Sequence, residues 1–324
     1  MRNIYYFPKQ NSLNSYCERF KECLSHYGVV KSIDIRDLLK YNFFFGRKEI
    51  IFLNWFENII LNKKGRVSNI NIVKLIFIFL LFKLIFKKIV FIRHNNYPHS
   101  CNEKEKNIAK KIISKLEAFS DYVIVHSPKD TDNFRYYVSH PLYDNNGDYN
   151  IKNNVDSKTY IVFGRIEKYK KIENLIINFP EGFNLVVAGK CSDKLYLKDL
   201  LKLSYKRKNI SIISHYLTDE EAKEIIQKSN GILITHNEDD MIVSGSFFYG
   251  LSVQSKVYAL QTPFFQWAKD EMGNRYIETF ISLTDMISRI KENVIKNEEI
   301  GNGKTPVDLF GDETIIKQLK VFFD

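Results

Sequence analysis

The sequence predicts an α/β protein built from two units in succession, each a parallel sheet covered by helices. Three observations carry this. Short apolar runs of strand length alternate with longer amphipathic stretches along the whole chain. A segment rich in Asn, Asp and Gly, "LYDNNGDYNIKNNVDSK" at 142 to 158, separates two sets of that alternation and reads as a linker. The length of 324 residues exceeds one ordinary core and suits two domains of about 150 residues each.

In the first half, "NIYYF", "VVKSIDI", "EIIFLNW", "KIVFIRH" and "DYVIVHS" read as short buried strands, with helices expected over 12 to 27, 68 to 86 and 102 to 118. In the second half the strands are "TYIVFG", "FNLVVAG", "ISIIS", "GILIT" and "KVYAL". Helices are expected near 171 to 178, 193 to 206, 218 to 229, 244 to 253 and 264 to 272. The tail "DETIIKQLKVFFD" has the pattern of an amphipathic helix with Asp312 as its N-cap. The expected domains are 1 to 150, 151 to 308, and a terminal helix over 309 to 324 that returns toward the first domain.

The composition is that of an ordered globular chain, 44% hydrophobic and 27% charged, with 25 Phe and 19 Tyr. A formal charge of +10 points to an anionic partner: nucleic acid, an acidic membrane surface or a phosphorylated small molecule. Lys, Asn, Ile and Phe are abundant together while Gly and Pro are scarce, the mark of AT-rich coding, so the charge is discounted as evidence. Cys17, Cys23, Cys101 and Cys191 show no C-x-x-C spacing, which implies neither a zinc site nor a disulfide framework and fits a reducing cytoplasm. The start "MRNIYYFPKQ" lacks the apolar core of a signal peptide, an expectation against export.

The stretch "INIVKLIFIFLLFKLIFKKIVFIRHNN", 70 to 96, is the most apolar of the chain. Its longest uncharged apolar run, Leu75 to Phe82, is far short of the roughly 20 residues of a spanning helix. Two readings stand: a buried helix followed by a strand, or a helix that dips into an anionic leaflet while its lysines meet headgroups.

Ligands of open parallel sheets bind beyond the carboxyl ends of the strands, so the residues that follow each strand come first. After "TYIVF" stand Gly164 and Arg165, with Lys170 near the next helix. Glycine permits close backbone approach, and a guanidinium with an ammonium can clamp a diphosphate. A solvated lysine turn is the plainer alternative. After "GILIT" come His236, a polar loop with Glu238, and then Ser244, Gly245 and Ser246 opening a helix. Small residues there leave backbone N–H groups available to an anion, unless Ser244 merely caps the helix. In the first half "FIRHNNYPHS" carries His94 and His99 at a strand end, candidates for taking a proton from a hydroxyl or orienting a phosphate, with Glu103 and Asp121 as rival bases. Ser127 reads first as a cap. No G-x-G-x-x-G, G-x(4)-G-K-[ST] or H-E-x-x-H occurs, which weakens dehydrogenase, P-loop and zinc-protease readings.

Taken in order, Gly-Arg-x(4)-Lys, "LVVAG", "DEEAKEIIQKS", "GILITHNED" and the small-residue helix start before "KVYAL" resemble the donor half of a GT-B glycosyltransferase over about 155 to 275. The loop "HNNYPH" is similar to one in the acceptor half of such enzymes. The resemblance implies two Rossmann-like α/β/α domains facing a central cleft, with Arg165 and Lys170 on the nucleotide diphosphate. Three departures stand out. Met241 and Tyr249 occupy the places of the glutamate pair found in many retaining members, and Lys171 stands where a Gly usually follows the Lys. The "IVSGSFF" form is more similar to branches of bacterial polysaccharide assembly without that pair, including inverting enzymes.

The resemblance implies transfer of a sugar from a nucleoside-diphosphate donor, UDP ahead of GDP, to a hydroxyl of a lipid-linked glycan in surface polysaccharide (capsule or O-antigen) synthesis. Inversion is placed ahead of retention. No cofactor or metal is implied beyond the co-substrate, and the enzyme is expected in the cytoplasm, peripheral to the inner face of the cell membrane. Rival classes are a catalytically silent subunit, a basic nucleic-acid binder, and a sugar-nucleotide epimerase of the same fold. The lysines are spread along the chain rather than gathered in one patch with exposed aromatics, which argues against nucleic acid. Release of free nucleotide only with acceptor present separates transferase from epimerase.

Overall fold

The computed structural model describes residues 2–9, 15–38, 47–62, 64–98, 101–144, 151, 157–237, 242–292 and 301–324. The chain divides into two compact units, the first from Met1–Pro141, Asp240–Val243 and Asp312–Asp324, the second from Leu142–Asp239 and Ser244–Gly311.

In the first unit the strands are β1 (Asn3–Phe7), β2 (Val29–Ser32), β3 (Lys48–Asn54), β4 (Phe86–Arg93), β5 (Tyr122–Val125) and β6 (Arg135–Tyr137), and the helices α1 (Tyr16–Ser25), α2 (Ile35–Leu38), α3 (Asn69–Ile85) and α4 (Lys106–Phe119). The sheet runs β2-β1-β3-β4-β5-β6, every pair parallel. Parallel pairing demands crossovers, which cover both faces and make the strands apolar on each side. Tyr5, Phe7, Ile51, Leu53, Ile89 and Phe91 alternate onto the face that receives α3 and α4. Tyr6 and Phe52 point the other way, where Phe20 of α1 and Phe322 lie against them.

The second unit holds β7 (Thr159–Phe163), β8 (Asn184–Ala188), β9 (Ile210–Ile213), β10 (Gly231–Ile234), β11 (Val257–Leu260) and β12 (Ile277–Phe280). Its helices are α5 (Ile172–Asn178), α6 (Lys194–Ser204), α7 (Asp219–Gln227), α8 (Gly245–Ser252), α9 (Pro263–Met272), α10 (Leu283–Glu292) and α11 (Pro306–Phe310). The order β12-β11-β10-β7-β8-β9, again all parallel, is the doubly wound order with its reversal between β7 and β10. Helix α7 starts on a capping box, Thr218 with Glu221, and α9 on Thr262 followed by Pro263. Phe247, Phe248, Phe264 and Phe310 meet in edge-to-face pairs and lock α8, α9 and α11 together.

The last helix, α12 (Asp312–Leu319), belongs to the first unit. Asp312 is its first helical residue rather than its cap, and accepts two hydrogen bonds from Arg19 at 2.7 and 2.8 Å. Phe323 stacks on Tyr27 at 4.5 Å. Other differences from the sequence reading concern short pieces. "VVKSIDI" is a strand only to Ser32, since Ile35 already begins α2. The strands β6 and β12 have no counterpart in the sequence reading: β6 has only three residues, and in β12 Glu278 and Thr279 interrupt the apolar run. Leu142 and Tyr143, expected in a linker, are held within the second unit: Leu142 is buried, and the Tyr143 N–H donates to Ser252 Oγ at 2.8 Å.

Candidate functional site

At the reversal of the second sheet, β7 and β10 lie side by side and the chains leaving them diverge to opposite faces, which opens a notch where a ligand can reach backbone. The β7 exit occupies it. Gly164 takes φ +95, and a Cβ there would stand 3.1 Å from Ser246 Oγ and 3.4 Å from Lys170 Nζ. A side chain at this position would therefore press on the two polar heads that converge there. Beneath it Gly189, at φ +143, crosses so closely that its Cβ would lie 2.2 Å from the Gly164 carbonyl oxygen.

Lys170 is 4% exposed, and its ammonium donates to the Phe163 carbonyl at 3.1 Å. Ser246 Oγ donates to the same oxygen at 2.8 Å. No carboxylate lies within ion-pair distance of Lys170 among the described residues. Burial first, and then the nearby positive charge of Arg165, lower its pKa from 10.5 to about 8. A buried ammonium with donors to spare is costly unless an anion meets it. Arg165 itself is exposed.

The β10 exit closes the other side. Thr235 Oγ1 donates to the Lys170 carbonyl, tying the two loops across the notch. His236 is buried, with Tyr169 edge-on to its ring at 5.2 Å. Ser244 takes the N-cap position of α8, but its side chain makes no capping bond, so plain capping does not account for it. Gly245 and Ser246 open the eight-residue helix and present its first N–H groups. Helix α5, by contrast, has seven residues and begins after a 3₁₀ turn over Lys168–Lys170, so the usable helix end at the notch is that of α8. Lys171 joins turn and helix at φ 50, a left-handed position that explains why glycine would suit it.

Tyr249, one turn into α8, stacks on Phe163 at 4.6 Å and donates its hydroxyl to the Asp219 carbonyl at 3.4 Å. It therefore forms an apolar wall beside Phe163. Met241, with Glu238, Asp239 and Asp240, lies outside the described residues, as does His99.

In the first unit the candidate base His94 sits at the carboxyl edge of its own sheet. Its Nε2 bonds Asn54 Oδ1, and the Asn54 amide nitrogen in turn donates to Cys17 Sγ at 3.2 Å. An amide oxygen only accepts, so Nε2 carries the proton. Around it stand Tyr16, edge-on at 4.7 Å, and His126 at 4.9 Å, with His140 4.6 Å from Tyr16. Asp121 is excluded as a base partner on topology: it precedes β5, at the opposite edge of a parallel sheet, where it accepts from Lys83 and from the Ile89 N–H. Glu103 is exposed and paired with Lys106 at 2.7 Å. Ser127 caps a 3₁₀ turn by accepting from the Lys129 N–H.

Sequence reasoning missed Asn54, Tyr16, His140 and Glu57. Only the position of Asn54 at a strand end was a usable signal. Glu57, buried in the turn after β3, has its carboxyl pushed up to about 7 by desolvation. His126 donates from Nδ1 to the Val138 carbonyl at 2.7 Å and pairs with the Tyr16 hydroxyl at 2.8 Å. Burial lowers its pKa from 6.5 to about 4. The unfolded chain thus binds more protons between those values, and the stability from His126 is lost as pH falls through the window. Glu57 acts with the opposite sign, so the comparison is between proteins. Unfolding titrations should show the stability difference between the parent and His126→Gln falling by about 2 kcal/mol from pH 7.5 to pH 5. A constant difference would contradict a neutral buried ring.

No protein-family model matches the sequence, and no curated protein matches it. Solved structures do match in three dimensions. The chain superposes on Anabaena HepE, solved with UDP and glucose, with a TM-score of 0.67 over 100% of this chain and 99% of that one at 10% identity. The fold is GT-B. A glycosyltransferase involved in avilamycin A biosynthesis shares the GT-B fold at a TM-score of 0.58, 9% identity, and 100% and 97% coverage. Staphylococcus aureus TarM, solved with UDP, matches 85% of this chain and 55% of its own at a TM-score of 0.60 and 14% identity.

Proposed function

We propose that the protein is a glycosyltransferase that moves a sugar from a nucleoside-diphosphate donor to a hydroxyl of a lipid-linked glycan at the inner membrane surface, with inversion, in surface polysaccharide synthesis. The observation that carries the donor half is the buried Lys170 ammonium, without a carboxylate partner among the described residues, beside the open start of α8 at the sheet reversal. HepE and TarM, both solved with UDP, support a UDP-sugar ahead of a GDP-sugar.

In this reading Lys170, Arg165 and the α8 N–H groups hold the diphosphate. The acceptor oxygen forms a bond to the anomeric carbon as the bond from that carbon to the β-phosphate oxygen breaks, and the electron pair leaves with the diphosphate. Donors fixed in place beforehand stabilise that growing charge without reorganising. The acceptor proton goes to His94, whose ring is oriented by the bond from its Nε2 to Asn54 Oδ1. Side-chain cations and backbone amides meet the diphosphate charge, so the reading needs no metal.

A thermal-shift screen of UDP, GDP, ADP and TDP tests it. UDP should raise the melting temperature of the parent, and Arg165→Ala should bind it more weakly by roughly 1.5 to 3 kcal/mol, the worth of charged hydrogen bonds. Equal shifts in parent and variant would remove Arg165 from the donor site. UDP release that needs no acceptor would favour an epimerase-like enzyme.

A further inference from the structure

Helix α3 is apolar on two opposite faces. One face, Leu75, Ile78, Phe79, Phe82 and Ile85, is buried in the core of the first unit. The opposite face is Ile70, Val73, Ile76, Phe77, Leu80 and Leu84, each between 51% and 81% exposed. At 100° per residue these six fall within an arc of about 120°, and from Ile70 to Leu84 they extend over about 21 Å of helix. Lys74 borders the arc on one side and Lys83 on the other. The helix carries no Asp or Glu.

We propose that this outward face of α3 docks on an anionic phospholipid surface, with the helix lying along the bilayer plane. The strip runs the length of the helix, so it would enter side-on, and no described helix is long and apolar enough to cross. Lys83 also reaches Asp121 at 3.0 Å, while Lys74 is exposed and makes no ion pair among the described residues. The neighbouring helix on the same sheet face continues the pattern. Ile108, Lys111, Lys115 and Phe119 lie on the outer side of α4, opposite the buried Ala109, Ile113 and Leu116. Branched aliphatics and Phe bordered by lysines, without Tyr, Trp, Met or Arg in the strip, match a lipid boundary better than the centre of a protein interface. The docking deepens the peripheral-membrane part of the proposed function and rests on that reading for its setting, while its residues are separate from those of the donor site.

Co-flotation with vesicles of phosphatidylcholine alone, or with one quarter phosphatidylglycerol, tests it on the full chain. The parent should bind the anionic vesicles at least tenfold better than the neutral ones. The double variant Phe77→Ser/Leu84→Ser should lose at least tenfold, and Lys74→Glu/Lys111→Glu should lose most of the salt dependence, all with unchanged far-UV circular dichroism. Failure of the parent to float with anionic vesicles, or equal flotation of parent and Phe77→Ser/Leu84→Ser, overturns the proposal. So does a parent dimer in sedimentation velocity that the double variant dissolves, which would make a second copy the occupant. The UDP thermal shift, run on the same proteins, reads the donor site separately: its absence with vesicle binding intact sinks the donor reading alone.

Discussion

Replacing Lys170 by methionine is expected to abolish the UDP-induced rise in melting temperature and to lower kcat about 10² to 10³-fold, the scale set by removing one fixed donor from a developing anion. The unliganded variant is nevertheless expected to be as stable as the parent, or more so. An ammonium buried among a carbonyl, a hydroxyl and a second cation is penalised in the empty protein, and methionine fills much the same volume without that penalty. A pKa of about 8 in place of 10.5 corresponds to about 3 kcal/mol of unfavourable charging below pH 8. The sign follows from proton counts. Between about 8 and 10.5 the unfolded chain holds the proton more tightly, so parent stability rises with pH across that window, and Lys170→Met lacks the rise. UDP affinity should run the other way, falling as pH passes 8 and the ammonium discharges. Urea unfolding of parent and variant at pH 7 and pH 9.5 checks the first statement, and calorimetric UDP titration at the same two values checks the second. A variant much less stable than the parent at pH 7 would mean that Lys170 serves the fold.

The second large effect is steric. Gly189→Ala would set a methyl carbon 2.2 Å from the Gly164 oxygen, on a backbone at φ +143 that side chains rarely adopt. Neither contact partner is a flexible tip, so β7 and β8 must part at their carboxyl ends. A cost of about 3 kcal/mol or more is expected, and with it a fall of roughly 6 to 12 °C in the melting temperature of the second unit. UDP binding should weaken as well, because the displaced residue is Gly164. Gly182→Ala is the matched control: nothing lies within 4 Å of its added carbon, and a change within about 0.5 kcal/mol is expected. Scanning calorimetry on the three proteins decides it, and equal melting of parent and Gly189→Ala would deny the close crossing.

Much of the second unit was legible because parallel strands announce themselves as apolar runs, and the residues just after such runs fall at one edge of the sheet. Gly164, Arg165, Lys170 and the Ser244 to Ser246 stretch, the residues of the proposed donor site, follow such runs. What joins them was not legible. The hydroxyl of Thr235 reaches a carbonyl 65 residues earlier, and Ser246 one 83 residues earlier, and no local pattern encodes which strand ends become neighbours. The role of Gly189 depends on the same crossing. In the first unit Tyr16 meets His126 across 110 residues, and a three-residue β6 hid His140 entirely. Helix α3 failed for a different reason. A helix apolar all round has no moment to orient it, so the sequence could place it but could not say which face met the core.

The most direct test of the account is a crystal structure of the protein with UDP. The β-phosphate is expected within about 3 Å of Lys170 Nζ and of the first N–H groups of α8, with the Arg165 guanidinium turned onto the diphosphate. A nucleotide bound elsewhere, or one bound in the second unit with Lys170 still directed only at the Phe163 carbonyl, would contradict it.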